Sequence, residues 1–292
     1  VNYSLRDRAF GIVSYVFIGV FALLCFLPFW MMISGSFTKE SELILNGYSL
    51  FPESFSTTAY SVLLQSKLLW SSYVNTALIT VVGTALALFI SAMLAYSLAN
   101  GRNTLRGGML AFVYFPMLFY GGLIPFYITV SKYLQLSNTL WAVILPLVCQ
   151  PFLVFLMVNF FRTLPKELEE SARIDGAHEF NVFIRIMIPI SKPILATVAL
   201  FYALGYWNDW FMSLLFIDEE SKYPLQLILR RMVSNLEAAK SLIPSNAGIS
   251  IESPLLGVRM STTIVTIGPI VLLYPLLQKY FVKGLTIGAV KG

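Results

Sequence analysis

The sequence predicts an all-α membrane protein, a single polytopic domain over residues 1–292 that crosses the bilayer six times. Three observations carry that prediction. The chain is 57% hydrophobic and only 12% charged, where soluble domains carry about 25% charged residues. Its apolar residues gather into runs near or above the roughly 20 residues that a helix needs to span a bilayer. Its basic residues fall mostly in short loops, where they set membrane orientation. The formal net charge of +5 does not point to nucleic acid, because the basic residues form neither a run nor a basic face.

Taken in order, Arg6 and Arg8 precede a first span over about 10–34, with Pro28 placed to kink its far end. That run is too long for the core of a cleavable signal and has no convincing cleavage site. Residues 35–70 form a polar loop with Lys39, Glu40, Glu42 and Glu53, and a short amphipathic helix fits 57–65. Trp70 and Tyr73 then mark an interface. The second span, 73–99, carries Gly83, Ala85, Ala87, Ser91, Ala92 and Ala95. Small residues at helical spacing let helices approach closely, which places this span inside the bundle. Asn75 at its start is expected to hydrogen-bond at the helix end or between helices.

A basic turn with Arg102 and Arg106 leads to the third span, 107–131, interrupted by Pro116, Gly121-Gly122 and Pro125. Such breakers unwind a helix only where protein or a water-filled cavity satisfies the freed backbone. The fourth span, 141–161, contains Pro146 and Pro151, and the fifth, 193–217, contains Tyr206-Trp207-Asn208-Asp209-Trp210. A second polar loop, 218–258, precedes a sixth span over 260–281 and a tail with Lys283 and Lys291. Cys25 and Cys149 both fall in apolar runs, so they are expected as small buried residues, not as a disulfide.

Six spans put both termini on one side. The N-terminus, the 99–107 turn, residues 162–192 and the tail carry 12 of the 20 basic residues. The positive-inside rule therefore assigns both termini and the 162–192 stretch to the cytoplasm, and the loops 35–70 and 218–258 to the outside.

Residues 162–192 are the polar island of the chain, with five of its fifteen acids, five of its twenty basic residues and its one histidine. Pro165 and the acids Glu167, Glu169 and Glu170 suit a first helical turn. Gly176 suits the position just past a helix C-terminus. A second amphipathic helix follows, with Phe180, Phe183, Ile184, Met187 and Ile188 on one face, until Pro189 and Pro193 break it. One reading is an amphipathic surface loop between two spans. The other is a short helix with a small-residue face, Ser171, Ala172 and Ala177, that fits a groove on a partner protein. His178 reads as a solvated surface residue.

The spacing in this stretch is Glu170-Ser171-Ala172, three residues, Gly176, nine residues, then Ile186-Met187-Ile188-Pro189. It resembles the EAA loop of type I ATP-binding-cassette importer permeases, whose pattern is Glu-Ala-Ala, three residues, Gly, nine residues, Ile-x-Leu-Pro. Ser171 stands for the second-position Ala and Ile188 for the Leu. The six spans and long first outer loop resemble the smaller carbohydrate permeases of that group. The stretches Gly121–Pro125, Tyr223–Leu227 and Gln278–Gly292 look like a subgroup associated with complex or acidic oligosaccharides such as alginate or pectin fragments. The resemblance implies a permease of the bacterial inner membrane that moves an oligosaccharide inward by alternating access. It implies a second homologous permease, two ATPase subunits that hold the ATP and Mg, and an extracytoplasmic substrate-binding protein. The ATPase-coupling residues it implies are Glu170, Ala172, Asp175 and Gly176, with Ala177 and Phe180 beside them.

Asp209 is the clearest acid in or near a span. An intramembrane ionisable group marks a pathway or a partner, and an outer-interface position is the equal alternative. Aromatics beside amides and acids also suit sugars, which makes Tyr120, Asn159, Trp207, Asn208 and Asp209 the candidate substrate pathway. Tyr114 and Tyr127 are further candidates, and bundle packing or an interface belt is the alternative for them as for Tyr120 and Asn159. No GxxxxGK[ST] occurs, so no P-loop nucleotide site is expected, and no catalytic or metal-ligand constellation appears. A stand-alone secondary transporter is the alternative function. It would carry internal inverted repeats and more buried charges than this sequence shows.

Overall fold

Apolar runs of this length have one stable backbone in a bilayer, because a helix pairs its own N–H and C=O groups where no water can. A computed structural model of the chain describes residues 5–242 and 256–271, with side chains over 10–234 and 256–271. Among the described residues no β-strand forms; one antiparallel bridge joins Thr38 to Phe55. The span expected over 260–281 is described as far as Val271. Lys283, Lys291, Glu252, the 278–292 ending and the side chain of Glu237 lie outside the described residues.

The chain divides into two compact units, Val1–Lys67 with Arg231–Gly268, and Leu68–Arg230 with Pro269–Gly292. In the first, α1 (Leu5–Ser36) holds Pro28 within a continuous helix, and none of its most apolar 18-residue window is buried against this chain. Two short helices follow, α2 (Glu40–Leu45) and α3 (Thr58–Gln65), the latter where a helix over 57–65 is expected. Both carboxylate oxygens of Glu40 cap a helix distant in sequence, Leu256–Val271, accepting from Leu256 N at 2.8 Å and Gly257 N at 2.9 Å.

The second unit is built on α4 (Lys67–Ala99), a 33-residue helix about 50 Å long. Its buried stripe includes Gly83, Ala87, Ser91 and Ala95, spaced four apart, as the small-residue pattern predicts; Ala85 is exposed. Its N-terminal end meets the 217–225 segment, where Asn75 donates to the carbonyl of Ser221 at 2.8 Å and Thr76 accepts from Leu225 N at 2.9 Å. Asn75 thus makes the interhelical bond expected of it.

Breaks form at Gly121-Gly122 and before Pro151, as expected, whereas Pro116 lies inside α5 (Arg106–Leu118) and Pro125 inside α6 (Leu123–Ile128), so neither proline interrupts its helix. α5 gives way at Gly121-Gly122 to α6, extended by a π turn over Thr129–Tyr133, with a 117° change of axis. α7 (Trp141–Ile144) tightens into a 3₁₀ turn, Leu145–Leu147, and α8 (Pro151–Phe161) resumes at 45°. Pro151 occupies the first position of α8, where the missing N–H costs the helix nothing.

After residues 162–191 come α12 (Lys192–Trp207), α13 (Phe211–Phe216) and α14 (Leu225–Leu242). Within 162–191 lie α9 (Glu167–Ile174), α10 (Glu179–Val182) and α11 (Ile188–Ile190), and α15 (Leu256–Val271) follows α14 in sequence. By length and composition, α1 and α4 each suffice to cross a membrane. Three bent pairs pass the same test together: Arg106–Leu118 with Leu123–Tyr133, Trp141–Leu147 with Pro151–Phe161, and Glu179–Ile190 with Lys192–Trp207.

Two features differ from expectation. The fifth apolar segment is not one helix: it stops at Trp207 and restarts at Phe211. The cysteines are free thiols but exposed, not buried. Cys25 lies on the uncovered surface of α1, and Cys149 lies in the break between the 3₁₀ turn and α8.

Two tyrosines of α12 close the second unit's core. Tyr206 lies over Gly83 and donates to the Ile144 carbonyl at 2.9 Å. Tyr202, fully buried, accepts from Gln150 N at 3.1 Å and lies 2.6 Å from Ser91 Oγ, which reaches the Val148 carbonyl at 3.4 Å. One hydroxyl chain therefore satisfies peptide groups on both sides of the break in the fourth apolar segment. Replacing Tyr202 by Phe is expected to lower stability by about 1–3 kcal/mol, because the Gln150 amide is left unpaired. At Gly83 an added Cβ would stand 2.7–2.9 Å from the ring of Tyr206, so Gly83→Ala should cost about 1–3 kcal/mol through overpacking. Thermal unfolding of the purified variants in detergent checks both, and a wild-type midpoint for either contradicts this packing.

Candidate functional site

The polar stretch folds as two short helices around a glycine. α9 begins with Glu167, Glu169 and Glu170 in its first turn and Arg173 in its last, the arrangement the helix dipole favours. It ends in a Schellman motif: Gly176, at φ +80°, donates to Arg173 O at 3.0 Å, and Ala177 donates to Ala172 O at 3.0 Å. No atom lies within 4 Å of the position a Cβ would take at Gly176, so the backbone conformation alone calls for glycine there. His178 then caps α10, its Nδ1 accepting from Phe180 N at 3.3 Å. This cap is a structural role beyond the solvated surface position read from the sequence.

The two helices differ in how they are held. From α10 through a π turn to α11, Val182, Phe183 and Met187 are buried. The ring of Phe183 lies 5.4 Å from that of Tyr96, near the C-terminal end of α4. α9 buries no residue. Glu170 and Asp175 are exposed, Ala172 and Ala177 are partly covered, and Phe180 is 49% exposed. Ile174, which the sequence pattern did not single out, is 86% exposed. The signal for it was available, an isoleucine in the last turn of a strongly polar helix.

A polar cluster fastens α9. The Arg173 guanidinium reaches Glu169 Oε2 at 3.1 Å, and its Nε and Nη2 stand 2.8 and 3.1 Å from the two carboxylate oxygens of Glu179. Tyr96 donates to Glu179 Oε2 at 3.1 Å. Burial pushes the Glu169 carboxyl above its ordinary value despite Arg173 beside it. At Glu179 burial also opposes ionisation, but the hydrogen bond and charge of Arg173 outweigh it and hold the carboxyl below its ordinary value.

The candidate pathway residues differ in their surroundings. Asp209 spends its carboxylate on the start of α13, accepting from Met212 N and Ser213 N, both at 3.3 Å, and from Ser213 Oγ at 3.2 Å. Trp207 is buried, with its ring edge-on to Tyr73 at 6.0 Å. Asn208 is exposed; it donates to Leu204 O at 2.9 Å and accepts from Gln226 at 3.2 Å. Tyr120, 80% exposed in the α5–α6 break, and Asn159, exposed on α8, have no side-chain hydrogen bond or ring partner among the described residues. Tyr114 packs on Phe155 and Tyr127 stacks on Phe216, the packing alternative for both. A groove of about 500 Å³ lies along Leu94, Met109, Phe112, Val113 and Pro116. Its apolar lining would leave sugar hydroxyls without partners.

Known proteins agree with this architecture over nearly its full length. Residues 87–287 match the family described as "Binding-protein-dependent transport system inner membrane component". Protein LplC of Bacillus subtilis is 43% identical over 98% of this chain and 96% of its own. The polygalacturonan/rhamnogalacturonan transport system permease protein YtcP of the same organism is 36% identical over 99% of this chain and 100% of its own. A chain of a solved bacterial ABC transporter involved in the import of the acidic polysaccharide alginate superposes with a TM-score of 0.84 at 32% identity, covering 96% of this chain and 99% of that one. The chain belongs to the family of inner membrane components of binding-protein-dependent transport systems, and is a permease subunit of a bacterial ABC importer, a translocation component and not an enzyme.

Proposed function

We propose that this permease moves an oligosaccharide, of a complex or acidic kind, into the cytoplasm, and that α9 is where partner ATPase subunits drive it. The single observation that carries the coupling reading is α9 itself. It is a capped, charged helix that buries nothing, presents Glu170, Ile174 and Asp175 outward, and is tied by polar bonds to the end of α4. Ala172, Gly176, Ala177 and Phe180 complete the contact. The substrate reading rests on the relatives, which include a polygalacturonan/rhamnogalacturonan permease and an alginate importer.

The assembly that fits is this chain with a second homologous permease, two ATPase subunits carrying ATP and Mg, and an extracytoplasmic binding protein. Both termini and residues 162–192 face the cytoplasm, and the 35–70 and 218–258 loops face outward, within one permease domain. The contacts at the two ends of α4 support this sidedness: Asn75 meets the 217–225 segment, and Tyr96 meets α10. Asn138 likewise joins the 132–140 loop to Glu219, with the Glu219 amide donating at 3.1 Å. Closure of the ATPases would push α9 and rock the bundle between outward and inward openings. Trp207, Asn208 and Asp209, with Tyr120 and Asn159, are the pathway positions to test first, Asn208 foremost because its amide is exposed and paired with Gln226.

Two measurements test this. Glu170→Ala and Ile174→Asp in the co-expressed complex should each weaken ATPase-subunit capture by roughly 30-fold, the effect of losing about 2 kcal/mol at an interface anchor. Capture at the wild-type level in both would overturn the coupling reading. Uptake by the reconstituted importer should favour oligogalacturonides or alginate oligomers over neutral oligosaccharides of the same length, and equal or reversed preference would overturn the acidic-substrate reading.

A further inference from the structure

α9 meets its partner on one side and must transmit force on the other, yet it has no packed face with which to do so. No residue of α9 is buried. The joint that follows it is a glycine at φ +80° with open space around it. A push on a helix joined only through such a bend would be absorbed by rotation about Gly176. What opposes rotation is the polar cluster that spans the bend. Arg173 stands before Gly176 and Glu179 after it. Through Nη2 the guanidinium hydrogen-bonds one oxygen of Glu179 and the carboxylate of Glu169, one turn back, each at 3.1 Å, and its Nε stands in ion-pair range of the other Glu179 oxygen, at 2.8 Å, without hydrogen-bond geometry. A planar guanidinium that engages two carboxylates fixes orientation as well as distance. The Arg173 side chain is only 15% exposed, whereas Glu179 is 52% exposed, so the pair is sheltered on its arginine side and open to solvent on the other.

The same Glu179 oxygen that Arg173 Nη2 contacts also accepts from the Tyr96 hydroxyl at 3.1 Å. Tyr96 is itself wedged between Phe161, at 6.3 Å, and Phe183, at 5.4 Å. Five residues back along α4 is Ser91, where Tyr202 and the Gln150 amide close the break in the fourth apolar segment. A continuous set of bonded contacts therefore runs from α9 into the core of the same unit.

We infer that Arg173, Glu179 and Tyr96 form a strut that makes α9, the Gly176 bend and the end of α4 move as one body, so that they are positioning residues for coupling and not part of the ATPase contact. This rests on the reading of α9 as the ATPase contact. Spatial continuity alone does not establish coupling, so the test measures coupling itself.

The full importer is reconstituted in liposomes with Arg173→Gln, Glu179→Gln or Tyr96→Phe, and three quantities are read: ATPase-subunit capture, ATP hydrolysis and saccharide uptake. The expected result is capture close to wild type, retained hydrolysis and a fall of roughly tenfold in uptake per ATP hydrolysed. Tyr96→Phe removes one oxygen from a residue outside α9, so it carries the test should the Arg173 variant fail to assemble. An unchanged uptake-to-hydrolysis ratio in an assembled Tyr96→Phe complex overturns the strut. Wild-type capture in Glu170→Ala and Ile174→Asp instead overturns the underlying reading of α9, whatever the strut variants do.

Discussion

An unpaired peptide group in hydrocarbon costs several kcal/mol, and that constraint governs where this chain is allowed to bend. Several interruptions of its apolar segments come with a named partner for freed backbone. At 148–150 the partner is the Tyr202 hydroxyl, which accepts from the Gln150 amide and leads through Ser91 to the Val148 carbonyl. At 208–210 it is the Asp209 carboxylate, which takes the first amides of α13. Where α4 ends against the 217–225 segment it is Asn75 and Thr76. The buried tyrosines, serines and threonines of the second unit are thus the means by which broken helices exist in an apolar surrounding.

The same constraint explains why residues 162–191 look so different. A break exposed to water needs no internal partner, so a glycine and the Arg173–Glu169–Glu179 cluster suffice where a membrane break recruits buried hydroxyls. Surface ion pairs are individually weak. Arg173 departs from that pattern because its side chain is sheltered and engages two carboxylates at once. α9 thus exposes Glu170, Ile174 and Asp175 while Arg173 fastens it to Glu179.

Much of this was legible in the sequence. The short helix at 57–65, the breaks at Gly121-Gly122 and before Pro151, the small-residue stripe of α4 and the termination of α9 at Gly176 all follow from local chemistry, and local chemistry is what a single sequence displays. What was not legible depends on distant partners. Asp209 reads equally as an ionisable group inside a span or at its outer interface, and nothing local reveals that the helix has already stopped at Trp207 and that the carboxylate caps the next one. Tyr96 and Arg173 are unremarkable in their own segments and gain meaning only when α4 is brought to Glu179, 83 positions away. The exposure of Cys25 follows from that part of α1 having no cover among the described residues, which hydropathy does not distinguish from burial in a bundle.

The central claim is that α9 is the surface through which ATPase subunits act on this permease. Amide hydrogen exchange of the detergent-solubilised permease, alone and with its ATPase subunits, addresses it most directly. The account predicts that residues 167–180 gain protection on ATPase binding, with the amides of α4 around Gly83–Ser91 unchanged. Equal exchange over 167–180 in both states, with protection appearing elsewhere on the chain, would contradict it.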